Sequence, residues 1–352
     1  MLKKSKLLAG IAIAASMTMG VSMAEAKTYR FASNAPQNSM RGQIEDMYLS
    51  EVERMSGGEI KIQRFWNQTL VKGKEILKSV QDGVADFGFI NPAYYPKRLK
   101  LWNGIMLAEQ GPTSSENMMA AYMDIYNQAP GIKDELSKYK QRMVFMYTGT
   151  PYSYISKEPL KSIADLKGKK ARSSSRWKMA GFQDIGAAPV SVAWPECYMA
   201  LQTGTIDTVL TNVDAQDRGK LYEVAKNLWV WDNMWLALPF VVTMNEKSYQ
   251  KLSPKGKAAV DGALKSALAK THPIYRAELQ KSLDVMKKAG VNITHAQKAD
   301  YDVWFNLPSK EANKKVWIKE ATDAGVKDAG AAYTKILDIV HGYVEKEAKE
   351  TK

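Results

Sequence analysis

Apolar and polar residues alternate over Thr28-Tyr29-Arg30-Phe31-Ala32, the period of a half-buried strand. From Met40 to Met55 the apolar spacing becomes helical and stops at Gly57-Gly58, a pair that ends helices. Glu59 to Phe65 alternates again. A helix is predicted from about Lys74 to Gln81, ahead of Gly83, and Phe87-Gly88-Phe89-Ile90 reads as a short buried strand. This β-α-β-α-β order predicts an open α/β sheet, whose ligands sit beyond the carboxyl ends of its strands. Asn34 follows the first strand and Asn91 the third, with Tyr94 and Tyr95 close behind. Their neutral polar groups suit hydrogen bonding and packing.

The pattern then repeats. Met143 to Tyr147 is strand-like and runs into the turn-rich Thr148-Gly149-Thr150-Pro151, where the chain is expected to cross into a second domain. Short strands are predicted at Lys170–Ser173, Val190–Val192 and Asp207–Leu210, with a helix from Pro195 to Gln202 closed by Gly204. The apolar, β-rich Leu236 to Met244 is placed as the return crossing. From Ser253 to Ala289 the pattern is helical apart from Pro273, long enough to lie along both domains, and the tail is helical and amphipathic. The expected fold is α/β: two lobes joined by more than one crossing, with a hinged cleft between them. The first lobe takes 27–149 plus about 240–280, and the second takes 150–239 plus about 281–352. Clefts crossed more than once close around a small ligand.

The N-terminus adds a destination. Lys3, Lys4 and Lys6 precede an apolar stretch from Leu7 to Val21, and Ala24-Glu25-Ala26 supplies small residues for cleavage. That layout predicts a signal peptide over 1–26. The stretch is shorter than the ~20 residues of a membrane span and is interrupted by Ser16, Thr18 and Gly20. The mature chain is expected to start at Lys27 and to be soluble in the periplasm. Removing 1–26 takes away three lysines and Glu25, lowering the net charge from +13 to +11.

Composition removes most chemistry. The 352 residues hold one cysteine, Cys197, and three histidines, His272, His295 and His341. Intramolecular disulfides, multi-cysteine metal sites and histidine-rich metal sites are thereby excluded. No G-x-S-x-G or H-E-x-x-H motif occurs, so no enzyme is expected and no catalytic residue, cofactor or metal ligand is assigned. The 50 Lys and Arg residues are spread through helical stretches such as Lys251–Lys270. That spread suits solvated helix faces, and no nucleic-acid partner is expected.

Two ordered blocks carry a family signature. Ser162-Ile163-Ala164-Asp165-Leu166-Lys167-Gly168-Lys169-Lys170-Ala171-Arg172 resembles the "ADLKG-x-K-x-R" segment of the extracytoplasmic solute-binding proteins of tripartite ATP-independent periplasmic (TRAP) transporters, dicarboxylate type. Gly186-Ala187-Ala188-Pro189-Val190, followed by Trp194-Pro195-Glu196-Cys197-Tyr198-Met199-Ala200-Leu201-Gln202-Thr203-Gly204-Thr205-Ile206-Asp207, is similar to its "GA-x-P … E-x-Y-x-ALQ-x-G-x-x-D" run. Ser56–Ile60 and Gln81–Asp86 fit its first domain, so the resemblance spans the mature chain in order.

The resemblance implies a two-lobed, type II-like periplasmic binding protein, with a hinged interdomain cleft and a long helix spanning both lobes, that captures a small organic anion and delivers it to TRAP permease subunits driven by an ion gradient. It makes Arg172 the carboxylate clamp, a role suited to a planar guanidinium fork. Trp194 falls where the family presents a ring to the ligand. Asn212 or Thr211 matches a polar contact, with a one-residue ambiguity. Arg176 is a candidate second anion contact. With Trp66, Trp177, Trp194 and Trp235 in the chain, an aromatic or compact ligand is admitted, and Trp235 joins the candidate site. An arginine fork accepts carboxylate and sulfonate alike, so isethionate- or taurine-like ligands stay open, as does a ligand-sensing role at a membrane receptor. A cation beside the ligand, as in some relatives, also stays open. Two departures stand out: Phe65–Leu70 lacks the family's usual Pro/Gly turn, and Thr150-Pro151-Tyr152 lacks an arginine present in some members.

Overall fold

The computed structural model describes residues 27–350 apart from Ala193, Leu236 and Leu238; the signal-peptide reading of 1–26 lies outside the described residues. The strands are β1 (Lys27–Ala32), β2 (Ile60–Phe65), β3 (Phe87–Ile90), β4 (Gln141–Tyr147), β5 (Tyr152–Ser156), β6 (Lys170–Arg172), β7 (Ala188–Val190), β8 (Thr208–Asn212), β9 (Asn227–Trp231), β10 (Phe240–Asn245) and β11 (Asn292–His295). They form two sheets, one per lobe, in the orders β2-β1-β3-β10-β4 and β11-β9-β5-β8-β6-β7. The expected two-lobed α/β fold is what the chain adopts.

The chain crosses between sheets at 148–151 and again at 232–239. β10 enters the first sheet antiparallel to both β3 and β4, and β5 lies antiparallel to β8 and β9. The carboxyl ends of β1, β3 and β4 therefore share an edge with the start of β10. In the second lobe the carboxyl ends of β6, β8 and β9 share an edge with the start of β5. Those two edges flank the crossings, which is where an open α/β sheet binds ligands.

The helix Pro254–Lys288 ties the lobes together, and at ~1.5 Å per residue its 35 residues extend about 52 Å. Ala259, Ala263, Ala267, Thr271 and Tyr275 recur every four residues on its buried face, the spacing of one helix stripe. Small residues there let the helix Met40–Met55 approach closely: Tyr48 donates to the Val260 carbonyl at 3.2 Å. A Cβ on Gly262 would lie 2.8 Å from the Met55 methyl. Farther along, Met286 joins the core of the second lobe. Pro273 removes one backbone donor, yet the helix continues through it.

The C-terminal helices depart from the expected division, which gave 281–352 to the second lobe. In Pro308–Asp323, Trp317 donates to the Lys100 carbonyl of the first lobe at 3.0 Å. Its ring fills the space a Cβ on Gly104 would need. In Ala329–Glu350, Glu347 accepts from the backbone of Thr113 and Ser114, and Tyr343 bonds Asp124. The amphipathic tail buries its apolar face on the first lobe, and Asn313 and Ser309 reach across to Trp177 and Asp184 of the second. The pattern predicted the helices; their destination depends on Gly104 and the 113–114 loop, far away in sequence. Strands β5, β9 and β11 escaped prediction, and β7 starts two residues earlier than expected.

Candidate functional site

Arg172 is the last residue of β6, and the motif before it works as a positioning device. Asp165 accepts hydrogen bonds from the backbone of Lys161 and Ser162, closing the turn into the 3-10 helix Ile163–Leu166. Gly168 then adopts a left-handed φ of 76°, which glycine takes without steric cost, and its N–H donates to the Gly186 carbonyl. At the strand's start, Asp207 accepts from the Lys170 N–H at 2.8 Å and returns its own N–H to the Lys170 carbonyl. This lock fixes the pairing of Arg172 with Val209 on β8 and Val190 on β7. The signature residues thus place one guanidinium at the carboxyl edge.

Arg172 as a whole is only 5% exposed. Its Nε donates to the Val192 carbonyl at 3.0 Å, and its guanidinium carbon lies 5.8 Å from the Trp194 ring centroid. Seven of the ten arginines make an ion pair. Arg30 and Arg98, which make none, are exposed. Arg172 is therefore the one buried arginine without an acidic partner among the described residues. A buried charge is normally paired. Among the described residues no partner meets its Nη fork at the carboxyl edge of β6.

Trp194 is half-buried and lies against Gly219, where a Cβ would come within 2.9 Å of the ring. Asn212, at the end of β8, donates to the Thr150 carbonyl in the crossing at 2.6 Å. Thr211 is half-exposed on the opposite face, since successive strand residues alternate. In the first lobe, Asn91 caps the 3-10 turn Pro92–Tyr94 by accepting from the Ala93 N–H. Asn34 accepts from Arg41 at 2.8 Å. Asn34, Asn91 and half-buried Tyr94 all follow strands whose carboxyl ends face the crossings.

Two candidates are placed elsewhere. Arg176 points outward and forms a two-pronged pair with Glu320. It begins the helix Arg176–Asp184, which packs against Pro308–Asp323. Trp235 is fully buried, stacked on Tyr122 with ring centroids 4.8 Å apart, and donates to the Ala108 carbonyl. Gly111 makes room for it, because a Cβ there would lie 2.5 Å from the indole.

Sequence reasoning missed Arg41. The first turn of Met40–Met55 brings it to the first lobe's edge, 3.7 Å from the Phe89 ring centroid and 5.0 Å from that of Phe240. It donates to Tyr147 and lies 3.4 Å from Glu45, whose Oε1 accepts from Tyr147 at 2.5 Å. The available signal was Arg41 and Glu45, four residues apart and running into the buried face that includes Ile44, Tyr48 and Leu49. A second missed cluster joins the lobes: buried Glu109 accepts from Trp304 and pairs with Lys178 and Lys310.

Residues 31–321 match the bacterial extracellular solute-binding proteins, family 7. The chain belongs to that family. It is a TRAP extracytoplasmic solute-binding protein. It is 26% identical over 289 residues to the sialic acid-binding periplasmic protein SiaP of Vibrio cholerae, covering 80% of this chain and 86% of SiaP. To the C4-dicarboxylate-binding periplasmic protein DctP of Rhodobacter capsulatus it is 24% identical over 307 residues, covering 82% and 86%. A TRAP solute-binding protein from Rhodoferax ferrireducens, solved with copurified benzoate, superposes with a TM-score of 0.79 at 20% identity, covering 91% of this chain and 99% of that one. One from Desulfovibrio salexigens, solved as an open complex, gives 0.76 at 22%, covering 90% and 96%. Among the described residues no helix is long and apolar enough to cross a membrane.

Proposed function

We propose that the protein captures a small organic anion in the cleft between its two sheet edges and hands it to TRAP permease subunits for ion-gradient-driven uptake. Arg172 clamps the ligand's carboxylate. The observation that carries this reading is the burial of Arg172 without an acidic partner. An anion brought out of water needs its charge met by protein, and a guanidinium fork meets both oxygens of a carboxylate. Trp194 lies beside that fork, and Thr211 lies two residues beyond Val209, the β8 partner of Arg172, on the same face of the sheet. Relatives and structural neighbours bind sialic acid, benzoate and pyroglutamate, consistent with carboxylate recognition on this scaffold. The leader-like 1–26 supports export to the periplasm.

The test is a thermal-shift screen over small carboxylates, sulfonates and aromatic acids, followed by X-ray scattering with each hit. A closing trap gives a smaller radius at saturation, because a ligand favours the state it binds better. Hits confined to neutral compounds, or an unchanged radius with saturating ligand, would sink the reading. Sulfonate-only hits would move the ligand class while keeping Arg172 in place.

A further inference from the structure

The two arginines at the cleft edges differ in how their charge is met. Among the described residues Arg172 has no acid partner, whereas Arg41 has Glu45 at 3.4 Å, a carboxylate that is itself fully buried. Burial pushes the Glu45 carboxyl up on balance, against Arg41, Ser33 and Tyr147, which favour its ionised form. The ion pair at 3.4 Å offsets the Arg41 charge within the fold. Of Arg41's nitrogens, Nε is committed to Tyr147, Nη2 to Asn34 and Glu45, and Nη1 has no partner among the described residues. Its side chain is 11% exposed, and the Phe89 and Phe240 rings hold the guanidinium plane in place.

The two arginines flank the same crossing of the chain. Arg41 bonds Tyr147 at the end of β4, and the Arg172 charge acts on Tyr152 at the start of β5. Four residues separate those tyrosines, so their Cα atoms are five steps apart, at most about 17 Å at ~3.4 Å per step. The other buried acids near the crossings are already partnered: Glu109 by Lys178 and Lys310, and Asp214 by Arg218 and Thr150.

We infer that the cleft is built for a single negative charge: the ligand is a monocarboxylate carrying a neutral oxygen, hydroxyl or carbonyl, at the end opposite its carboxylate. Arg172 takes the carboxylate and Arg41 donates Nη1 to the far oxygen. A second carboxylate there would meet an arginine whose charge Glu45 already offsets and would be desolvated without a matching charge. Arg41 is thus a specificity residue that favours hydroxy and oxo acids over diacids.

This inference rests on the reading of Arg172 as the clamp, and the experiment separates the two. Calorimetric titration compares three matched pairs: 3-hydroxybenzoate with isophthalate, 4-hydroxybutyrate with succinate, and glucuronate with glucarate. Benzoate and butyrate serve as parents lacking the far oxygen. In the wild-type protein the monoanion of the pair that fits should bind at least about tenfold tighter than its diacid. Arg41→Gln should bring that monoanion to within about threefold of its parent. Glu45→Gln, which uncovers the Arg41 charge, should shift the pair's ratio toward the diacid by about tenfold; melting without ligand checks that both variants fold. A diacid binding as tightly as its partner in the wild type overturns the inference, and so does an unchanged ratio in folded Glu45→Gln. Failure of all three hydroxy acids to bind overturns it too. Arg172→Ala reports on the clamp alone: if it binds the fitting monoanion within about threefold of wild type, the underlying reading fails whatever the ratio shows.

Discussion

Arg172 and Lys178 are six residues apart, both almost wholly buried and both cationic, yet they sit in opposite electrostatic worlds. Lys178 has Glu109 at 3.3 Å and the Tyr152 ring at 4.7 Å. Glu109 in turn is met by Lys310 at 2.9 Å and the Trp304 indole at 2.6 Å. Burial alone would push the Glu109 carboxyl up, but Lys178, Lys310 and Trp304 bring it down to about 2. Burial also pulls the Lys178 ammonium downward, more than one carboxylate restores, because Lys310 opposes it. Among the described residues Arg172 has a backbone carbonyl, a nearby ring and no acid. One cation is satisfied by the fold. The other is left for something the fold does not contain, and that difference separates a joint from a binding site.

The comparison is tested most severely at Arg172. Arg172→Ala strands the ligand's anion in the closed cleft, costing roughly 2–5 kcal/mol for a buried charge pair. That is about 30- to several-thousand-fold in affinity. Folding stability should stay the same or rise, since an unpaired buried charge is removed. Arg172→Lys should recover only part, because an ammonium offers a point charge without the planar fork. Calorimetry with the identified ligand, alongside denaturant melts of the free protein, reads both quantities. Binding within about threefold of wild type would dissolve the distinction.

Lys178 should behave in the reverse way. Lys178→Met leaves Glu109 buried with Lys310 as its one cation, and breaking a buried pair costs about 3–5 kcal/mol of stability. Adding Glu109→Gln should recover part of that loss, because the remaining Lys310 is 20% exposed and can reach water. The readout is the denaturant midpoint of the two variants against wild type. Once folded, Lys178→Met should bind ligand with an affinity near wild type.

The same joint sets an acid limit. The Glu109 carboxyl in the folded chain lies at about 2, below the ordinary ~4.3 of an unfolded glutamate. A depressed carboxyl stabilises the fold above the ordinary value, and that stabilisation is lost as pH falls from about 4.5 through about 2. In Lys178→Met the carboxyl has lost one of its two cations and is held down less, so the acid-driven loss should be smaller, while its onset, set by the unfolded glutamate, stays in place. Urea melts stepped from pH 7 to pH 3 measure it. Identical pH profiles for wild type and variant would mean that Lys178 does not hold the Glu109 charge.

What the sequence revealed followed from distance along the chain. The Arg172 motif is local: Asp165, Gly168, Gly186 and Asp207 act within about forty residues, and each leaves a residue type that only its backbone role explains. The Glu109–Lys178–Lys310 joint spans some two hundred residues across three elements. Nothing in the neighbourhood of any one member announces the others. Arg41 stood between these cases, with Glu45 one turn away but Tyr147, Phe89 and Phe240 supplied by other strands. Trp235 misled because a tryptophan at a crossing suits a cleft as well as a core; Gly111 decides for the core, and it lies more than a hundred residues upstream.

The smallest expected effect comes from Arg176, the residue that separates proximity in sequence from membership in the site. It follows Arg172 by four residues, but Ser175 caps the intervening turn by accepting from the Lys178 N–H. The helix that starts there carries the Arg176 guanidinium over the Trp177 ring at 3.8 Å and onto Glu320. The pair is partly exposed on both sides, and exposed pairs contribute about 0–1 kcal/mol after screening. Arg176→Ala should therefore lower stability by less than about 1 kcal/mol and leave ligand affinity within about twofold, well inside the ~1.4 kcal/mol of a tenfold change. What loss there is should shrink in high salt, because the pair is reached by counterions, whereas the Arg172→Ala binding defect should persist with the ligand enclosed. Titrating both variants at about 0.05 M and 0.5 M salt makes the contrast quantitative. An affinity loss for Arg176→Ala comparable to that of Arg172→Ala would mean that the Glu320 pairing opens when ligand binds, and that the cleft holds two anion contacts from this lobe.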